Sequence, residues 1–204
     1  MKTIKKYQAI IFDIDGTLCD SAQLCTSAWN KVLKDNGYEN QILIADFKSN
    51  LGKPFPEIIQ NIIPSPFNEE ENIADLLNIA EIKTIEENGW NLYSGVYETI
   101  QELSNLYNIA LISNCQSDYL NMFLHLSGLQ EFIADKDCWG FSNCTKNEMI
   151  NNMRKRNGWN EVLYMGDTEG DYNACHLAVC DFIYAEYGYG KAEGAEKKFK
   201  IYEI

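Results

Sequence analysis

Short apolar runs rich in β-branched residues alternate along this chain with stretches of helical periodicity. The runs cover residues 8–12, 109–112, 162–165 and 182–185, and each is bounded by turn residues. Continuous apolar runs of this length are typical of strands that are buried on both faces of a parallel sheet. Helices between such strands provide the crossover connections. We therefore predict an α/β fold built on a doubly wound parallel sheet.

Local signals place two of the helices. Thr145 followed by Glu148 has the spacing of a capping box, and the segment that it opens stops before Gly158. A second helix is indicated by apolar residues at helical spacing, namely Val96, Ile100, Leu103 and Tyr107.

Residues 19–86 have a different pattern, because they contain no clear alternating strand. One apolar helical stripe comprises Leu24, Ala28 and Val32 and ends at Gly37, and a second comprises Ile73, Leu77 and Ala80. All four prolines of the chain lie between these stripes. We predict a small α-helical domain inserted at residues 19–86, with residues 1–18 and 87–204 forming the sheet domain.

Composition restricts the partners and the compartment. The chain has 17 Lys and Arg against 30 Asp and Glu, a net charge of −13, so we expect no nucleic-acid or membrane partner. No run approaches the ~18 apolar residues of a membrane span. The seven cysteines are scattered without a Cys-x-x-Cys pair, which argues against a zinc site or a disulfide framework. We expect reduced thiols in a cytoplasmic protein.

Two acidic pairs follow predicted strands. Asp13 and Asp15 come directly after the first run, and Asp167 and Asp171 follow the run at 162–165. The carboxyl ends of parallel strands open into one crevice, so these carboxylates are expected to converge there. Clustered carboxylates repel one another unless a cation lies between them, and Mg²⁺ prefers such oxygen ligands together with substrate phosphate. The sequence therefore predicts a magnesium site.

The same residues fall into ordered motifs that resemble those of the haloacid dehalogenase superfamily of phosphohydrolases. The resemblance covers nearly the whole chain. It is to the branch that contains phosphoglycolate phosphatases and β-phosphoglucomutases, whose helical cap is similar to the inserted helical unit. The motifs are carried by Asp13-Ile14-Asp15-Gly16-Thr17, Ser113-Asn114, Lys146 and Gly166-Asp167-Thr168-Glu169-Gly170-Asp171. The resemblance implies a Rossmann-like core and phosphatase activity on a small phosphorylated metabolite.

By this resemblance, Asp13 attacks phosphorus and forms an aspartyl-phosphate, while Asp15 acts as general acid and then as base. The motifs imply that Ser113 and Lys146 hold the phosphoryl oxygens. Mg²⁺ would be bound by Asp13, the backbone carbonyl of Asp15 and Asp167, with Asp171 near or behind it. Thr17, Asn114 and Lys53 are the expected substrate-binding residues.

Several alternatives remain open on the sequence alone. Lys146 is followed by Asn147 where relatives commonly have proline, and Lys136 competes for the role of phosphate-binding lysine. The family also contains phosphomutases that return the phosphoryl group to a sugar, which is a second hypothesis for the function. A non-catalytic regulatory or binding member of the family is a third hypothesis. Neither the physiological substrate nor the oligomeric state is indicated.

Overall fold

A parallel sheet forms the centre of the molecule. The computed structural model of the chain describes residues 7–39, 41–194 and 198–199. Its strands run in the order β3-β2-β1-β4-β5-β6 and all pair in parallel. They are β1 (Ala9–Phe12), β2 (Asn108–Ser113), β3 (Ile133–Cys138), β4 (Val162–Gly166), β5 (Asp181–Ala185) and the two-residue β6 (Lys198–Phe199). The predicted Rossmann-like α/β fold is confirmed.

Four of these strands coincide with the apolar runs, whereas β3 was not predicted. β3 reads Ile-Ala-Asp-Lys-Asp-Cys and is only partly buried, because it lies at the edge of the sheet beside β2. An edge strand carries charged residues that mask the periodicity of a strand. Its pairing with β2 also shifts in register between Ile109 and Ala110.

Helices connect the strands and cover the sheet. They are α1 (Ala22–Asp35), α2 (Ile44–Asn50), α3 (Phe55–Ile62), α4 (Ile73–Asn88), α5 (Val96–Ser104), α6 (Ser117–Ser127), α7 (Trp139–Ser142), α8 (Lys146–Asn157) and α9 (Glu169–Leu177). The predicted capping box of Thr145 and Glu148 opens α8, and Gly158 ends it in the left-handed conformation. Tyr107 lies beyond the end of α5, so its place in the helical stripe was wrong, although its ring still packs on the core.

Helices α1 to α4 share an apolar cluster that includes the fully buried Trp29, Phe67 and Leu77. The two helical stripes predicted from the sequence lie on α1 and α4, which pack against each other. The prolines do more than interrupt the chain, because Pro56 occupies the first turn of α3, where its missing N–H costs no hydrogen bond.

The chain enters and leaves this group of helices along two adjacent segments. The Asp20 N–H donates to the Asn91 carbonyl at 2.9 Å, and the Tyr93 N–H donates to the Leu18 carbonyl at 3.1 Å. These paired segments follow β1 directly, so α1 to α4 lie beside the carboxyl edge of the sheet. Parts of the predicted domains, residues 1–6, 40, 195–197 and 200–204, lie outside the described residues.

Among the described residues, none of the helices is both long and apolar enough to cross a membrane.

Candidate active site

Three strand ends bring the motif residues together. Asp13 follows β1, Ser113 ends β2, and Asp167 follows β4. β1 lies between the other two strands, and the Asp13 N–H donates to the Met165 carbonyl at 2.9 Å. All three side chains are buried. The carboxyl edge of the sheet therefore carries the polar centre that the sequence predicted.

Lys146 supplies the positive charge at this centre. It is the first residue of α8, held in place by the capping box that precedes it. Its Nζ lies 3.0 Å from Asp13 Oδ1 and 2.5 Å from Asp171 Oδ1. Burial alone would lower the pKa of Lys146, but the adjacent Asp13 and Asp171 carboxylates raise it above the ordinary value. Lys146 is therefore fully charged at neutral pH.

The competing lysine is held elsewhere. Lys136 lies on β3, and its Nζ donates to Asn121 Oδ1 at 2.7 Å. It also lies over the ring of Phe141. Lys136 therefore contacts neither Asp13 nor the acidic cluster in the described structure, and Lys146 is the lysine that the fold brings to Asp13.

Three carboxylates form a compact cluster. Oxygens of Asp13, Asp167 and Asp171 lie within 4.8 Å of one another. Burial raises the pKa of Asp13 well above its usual range, and burial together with Asp171 raises the pKa of Asp167 to about 7. In the described ranges Asp167 has no salt-bridge partner. A hard divalent cation would neutralise this excess charge, and the all-oxygen donor set fits one.

Asp171 is the most fully engaged of the three carboxylates. Its Oδ1 accepts from Tyr164 Oη at 3.2 Å as well as from Lys146, and its Oδ2 accepts from the Thr168 hydroxyl at 2.6 Å and the Thr168 N–H at 3.0 Å. The two contacts with Thr168 belong to the capping box that opens α9. Asp171 therefore lies behind Lys146 as an anchor, while Asp167 stays more available to a cation.

Glycines make room for Asp167. A Cβ on Gly16 would lie 2.2 Å from Asp167 Oδ2, and a Cβ on Gly188 would lie 2.2 Å from Asp167 Cβ. The N–H of Tyr189 donates to Asp167 Oδ2 at 2.7 Å. Thr17, predicted to bind substrate, is fully buried and its hydroxyl donates to Asp167 Oδ1 at 3.4 Å. Thr17 therefore positions Asp167, and it is not among the residues that line the cleft described below.

The Asp15 side chain is not one of the three that form the carboxylate cluster. Its Oδ1 accepts hydrogen bonds from Ser21 Oγ at 2.5 Å and from Tyr119 Oη at 2.6 Å. Burial raises the pKa of Asp15 even though these two donors oppose the shift. A carboxyl group with a raised pKa keeps its proton to a higher pH than an ordinary one, which suits a general acid. Only the backbone of Asp15 is left as a candidate for the metal.

A cleft that is open to solvent lies above Asp13. Its floor includes Asp13, Ser113 and Lys146, and its upper wall includes residues of α1 to α4, among them Trp29, Phe47, Phe55, Lys53 and Glu81. The Ser113 hydroxyl accepts from the Cys115 N–H at 3.3 Å, so its own proton is available to a ligand. The cleft therefore joins an ionic floor to a largely apolar wall.

The two other predicted substrate-binding residues border this cleft, and both have protein partners. Lys53 Nζ donates to Asn50 Oδ1 at 2.9 Å and lies 3.9 Å from Glu57 Oε1. Asn114 Nδ2 donates to the Gly52 carbonyl at 2.7 Å, which ties the loop between α2 and α3 to the end of β2.

Sequence reasoning missed three residues at this site, namely Ser21, Tyr119 and Glu81. Ser21 and Tyr119 hold Asp15, and Glu81 is a buried carboxyl in the cleft wall. Glu81 lies on α4, which also carries the exposed Glu86 and Glu87, so from the sequence it has the pattern of a solvated residue. Tyr119 lies 104 residues from Asp15 and is brought to it only by the fold.

Comparison with known proteins agrees with this geometry. The profile of the haloacid dehalogenase-like hydrolase family matches residues 10–185. The chain is 28% identical over 200 residues to a phosphoglycolate phosphatase of Rhodobacter capsulatus, covering 90% of this chain and 86% of that protein. The matched region contains every residue of the acidic cluster and Lys146.

Solved structures share the fold. A predicted phosphoglycolate phosphatase from Haemophilus somnus 129pt superposes with a TM-score of 0.80 at 19% identity, covering 96% of this chain and 95% of that one. CbbY from Rhodobacter sphaeroides, solved with xylulose-(1,5)bisphosphate, gives a TM-score of 0.79 at 15% identity, covering 95% and 93%. These matches show the fold, and the family profile over residues 10–185 shows that the chain belongs to the haloacid dehalogenase-like hydrolase family.

Proposed function

We propose that this protein is a magnesium-dependent phosphatase that hydrolyses a small phosphorylated metabolite through an aspartyl-phosphate intermediate. The observation that carries the proposal is the placement of buried Asp13 beside Lys146 and within the acidic cluster, on the floor of an open cleft. Similarity to a phosphoglycolate phosphatase supports a phosphate monoester as substrate.

In the first step, an Asp13 carboxylate oxygen attacks phosphorus and the bond from phosphorus to the leaving oxygen breaks. Lys146 and the Ser113 hydroxyl bind the equatorial phosphoryl oxygens, where negative charge is spread in the transition state. Asp15 gives its proton to the leaving alkoxide, so the alcohol departs neutral. The raised pKa of Asp15, caused by burial, keeps that proton available.

In the second step, water attacks the phosphorus of the aspartyl-phosphate. Asp15, now ionised, takes a proton from that water, and the bond between phosphorus and the Asp13 oxygen breaks. Inorganic phosphate is released, and the Asp13 carboxylate is restored. The hydrogen bonds from Ser21 and Tyr119 hold Asp15 in one position for both roles.

Mg²⁺ would be held by Asp13 and Asp167 with the backbone carbonyl of Asp15, and Asp171 would fix Lys146 behind it. The cation would supply charge neutralisation, which lets an anionic carboxylate meet an anionic phosphate. The Tyr189 N–H, at 2.7 Å, fixes the orientation of Asp167.

Residues 19–86 are the proposed cap domain, whose inner wall determines which leaving groups fit. The four helices of this segment, α1 to α4, contribute Trp29, Phe47 and Phe55 to the cleft. We place the enzyme in the cytoplasm, in keeping with its seven free thiols.

The test is phosphate release from a panel of small phosphate monoesters, with Mg²⁺ or with chelator, by the natural protein and by Asp13→Asn. We expect release that requires Mg²⁺ and falls by at least about 10³-fold in Asp13→Asn. Asp118→Asn, which changes an exposed carboxylate on α6, is the matched control. Folded, metal-loaded protein without release would refute phosphatase activity, and isomer formation without release would identify a phosphomutase.

A further inference from the structure

The cleft wall contains a buried carboxyl that the proposed chemistry does not use. Glu81 lies on α4, is 5% exposed, and borders the same cleft as Asp13. Its Oε1 accepts from Trp29 Nε1 at 2.6 Å. Within the described part of the chain, no Lys or Arg forms an ion pair with it. A carboxyl in such a place is costly to ionise unless a cation comes to it.

A line of contacting side chains connects Glu81 with the reacting end of the cleft. Tyr119 Oη donates to Asp15 Oδ1 at 2.6 Å, and Cys25 Sγ lies 4.0 Å from the same Tyr119 oxygen. Burial, and after it the nearby Glu81 carboxylate, raises the pKa of the Cys25 thiol. Tyr119 and Cys25 therefore lie between Glu81 and the proposed general acid, and Glu81 lines the same cleft as Asp15.

The surroundings of Glu81 are aromatic. The ring of Trp29 packs edge-on against Phe47, with centroids 5.1 Å apart, and against Phe55, with centroids 5.6 Å apart. All three residues line the cleft. Aromatic rings beside a carboxylate attract an organic ammonium group, because the ring faces and the carboxylate both carry negative potential.

We propose that Glu81 is a specificity-determining residue that selects phosphate monoesters of amino alcohols, binding the ammonium group of the leaving alcohol. The inference rests on the proposed phosphatase function. A hydroxyl group in the same position offers no positive charge to pair with the ionised form of Glu81, and a carboxylate would be repelled by that form.

Charge coupling agrees with this assignment. Burial raises the pKa of Glu81 to about 8, so the empty cleft keeps much of this group neutral at pH 7. A bound ammonium favours the ionised form and lowers that pKa. Binding of an amino alcohol phosphate therefore releases a proton from Glu81, whereas binding of a hydroxyl or carboxylate analogue does not.

The test compares three esters of similar size: phosphoethanolamine, glycerol 1-phosphate and 2-phosphoglycolate. We expect kcat/KM of the natural protein to favour phosphoethanolamine by about tenfold or more, a preference that Glu81→Gln removes. Glu86→Gln, which changes an exposed carboxyl on the same helix, should keep it. A natural preference for either other ester, or an unchanged preference in Glu81→Gln, would overturn the proposal.

Binding separates this inference from the proposed function. Calorimetry of the three esters on Asp13→Asn with Mg²⁺, and on Asp13→Asn/Glu81→Gln, measures selection without turnover. We expect tightest binding of phosphoethanolamine, with proton release that disappears in the double variant. If the natural protein hydrolyses none of the esters while this binding order holds, the phosphatase proposal fails and the role of Glu81 stands. Equal binding, or no binding, of all three esters would overturn the role of Glu81.

Discussion

The charge of Lys146 is the residue-scale feature on which the site depends. Its Nζ is the cation within 3.0 Å of both Asp13 and Asp171, and all three side chains are buried. A buried carboxylate that loses its partner keeps its full desolvation cost. Lys146 is therefore expected to contribute to folding as well as to the proposed phosphate binding.

We expect Lys146→Met to lower the free energy of unfolding by about 3–5 kcal/mol at pH 7, because it leaves two buried carboxylates unpaired. Urea denaturation measures the change. Lys136→Met is the matched control, since Lys136 is only partly buried and donates to Asn121. It should cost less than about 1 kcal/mol. Equal losses for the two variants would contradict the assignment of Lys146 as counterion.

Glu81 should make stability depend on pH. Its pKa in the folded state is about 8 against an ordinary 4.5, so the folded state binds this proton more tightly than the unfolded state does. The stabilisation is complete below about pH 4.5 and is lost as pH rises towards 8. We expect the unfolding free energy of the natural protein, relative to Glu81→Gln, to fall across this interval by at most roughly 1.4 kcal/mol per pH unit.

Chemical denaturation at a series of pH values provides this comparison. The difference in unfolding free energy between the natural protein and Glu86→Gln should not change over the same pH interval, because Glu86 is exposed. A flat difference for Glu81→Gln as well would show that Glu81 titrates as a solvated residue.

Individual site residues were predictable from the sequence where they belong to local motifs. Asp13, Asp167 and Lys146 each follow a strand or open a helix, so a short pattern shows both their chemistry and their place in the fold. Tyr119 and Glu81 have no such local mark, because contacts between distant segments give them their surroundings. The contact of Thr17 with Asp167 was hidden for the same reason.

At the scale of elements, the loop between α2 and α3 joins the proposed cap to the sheet. Gly52 in this loop has a φ of +89°, and its carbonyl accepts from Asn114. A Cβ on Gly52 would lie 2.8 Å from Thr168 Cγ2. The loop therefore rests directly on the segment that positions Asp171.

We expect Gly52→Ala to push this loop away from Thr168, and so to raise KM for phosphate esters and destabilise the protein. Gly37→Ala is a close control, because Gly37 has a φ of +84° and a Cβ there meets nothing within 4 Å. Gly37→Ala should cost about 1 kcal/mol from backbone strain alone, with KM unchanged. Steady-state kinetics and thermal unfolding measure both effects. Unchanged KM in Gly52→Ala would show that the loop does not affect substrate binding.

Elements differ in how strongly the sequence marks them. β1 and β4 are buried on both faces, and their continuous apolar runs predicted them closely. β3 at the sheet edge carries Asp and Lys, and α2 and α3 are short. None of the three therefore has apolar residues repeating at regular spacing over many residues. Burial on both faces leaves a clear sequence pattern, and partial burial does not.

At the scale of the whole molecule, a divalent cation should link the folded state to the proposed chemistry. The protein carries a net charge of −13, and three buried carboxylates converge at one point. We expect Mg²⁺ to raise the free energy of unfolding by about 2.7 kcal/mol at a hundredfold excess over its Kd, because the unfolded chain lacks this cluster.

Thermal unfolding with Mg²⁺ and with chelator measures this stabilisation. Asp167→Asn should weaken or abolish it, since it removes one of the proposed ligands, whereas the exposed Asp118→Asn should leave it intact. An equal Mg²⁺ effect in the natural protein and in Asp167→Asn would place the cation elsewhere.

The paired segments that lead into and out of the proposed cap have a consequence for how such a protein can diversify. Asp20 and Asn91 are joined by a backbone hydrogen bond of 2.9 Å, so the core already holds together both ends of whatever lies between them. Closing a loop of twice the length costs only about 0.6 kcal/mol more. Recombination can therefore exchange or enlarge the intervening helices with little effect on the stability of the sheet and its acidic centre. New substrate ranges can then evolve while the reaction stays the same.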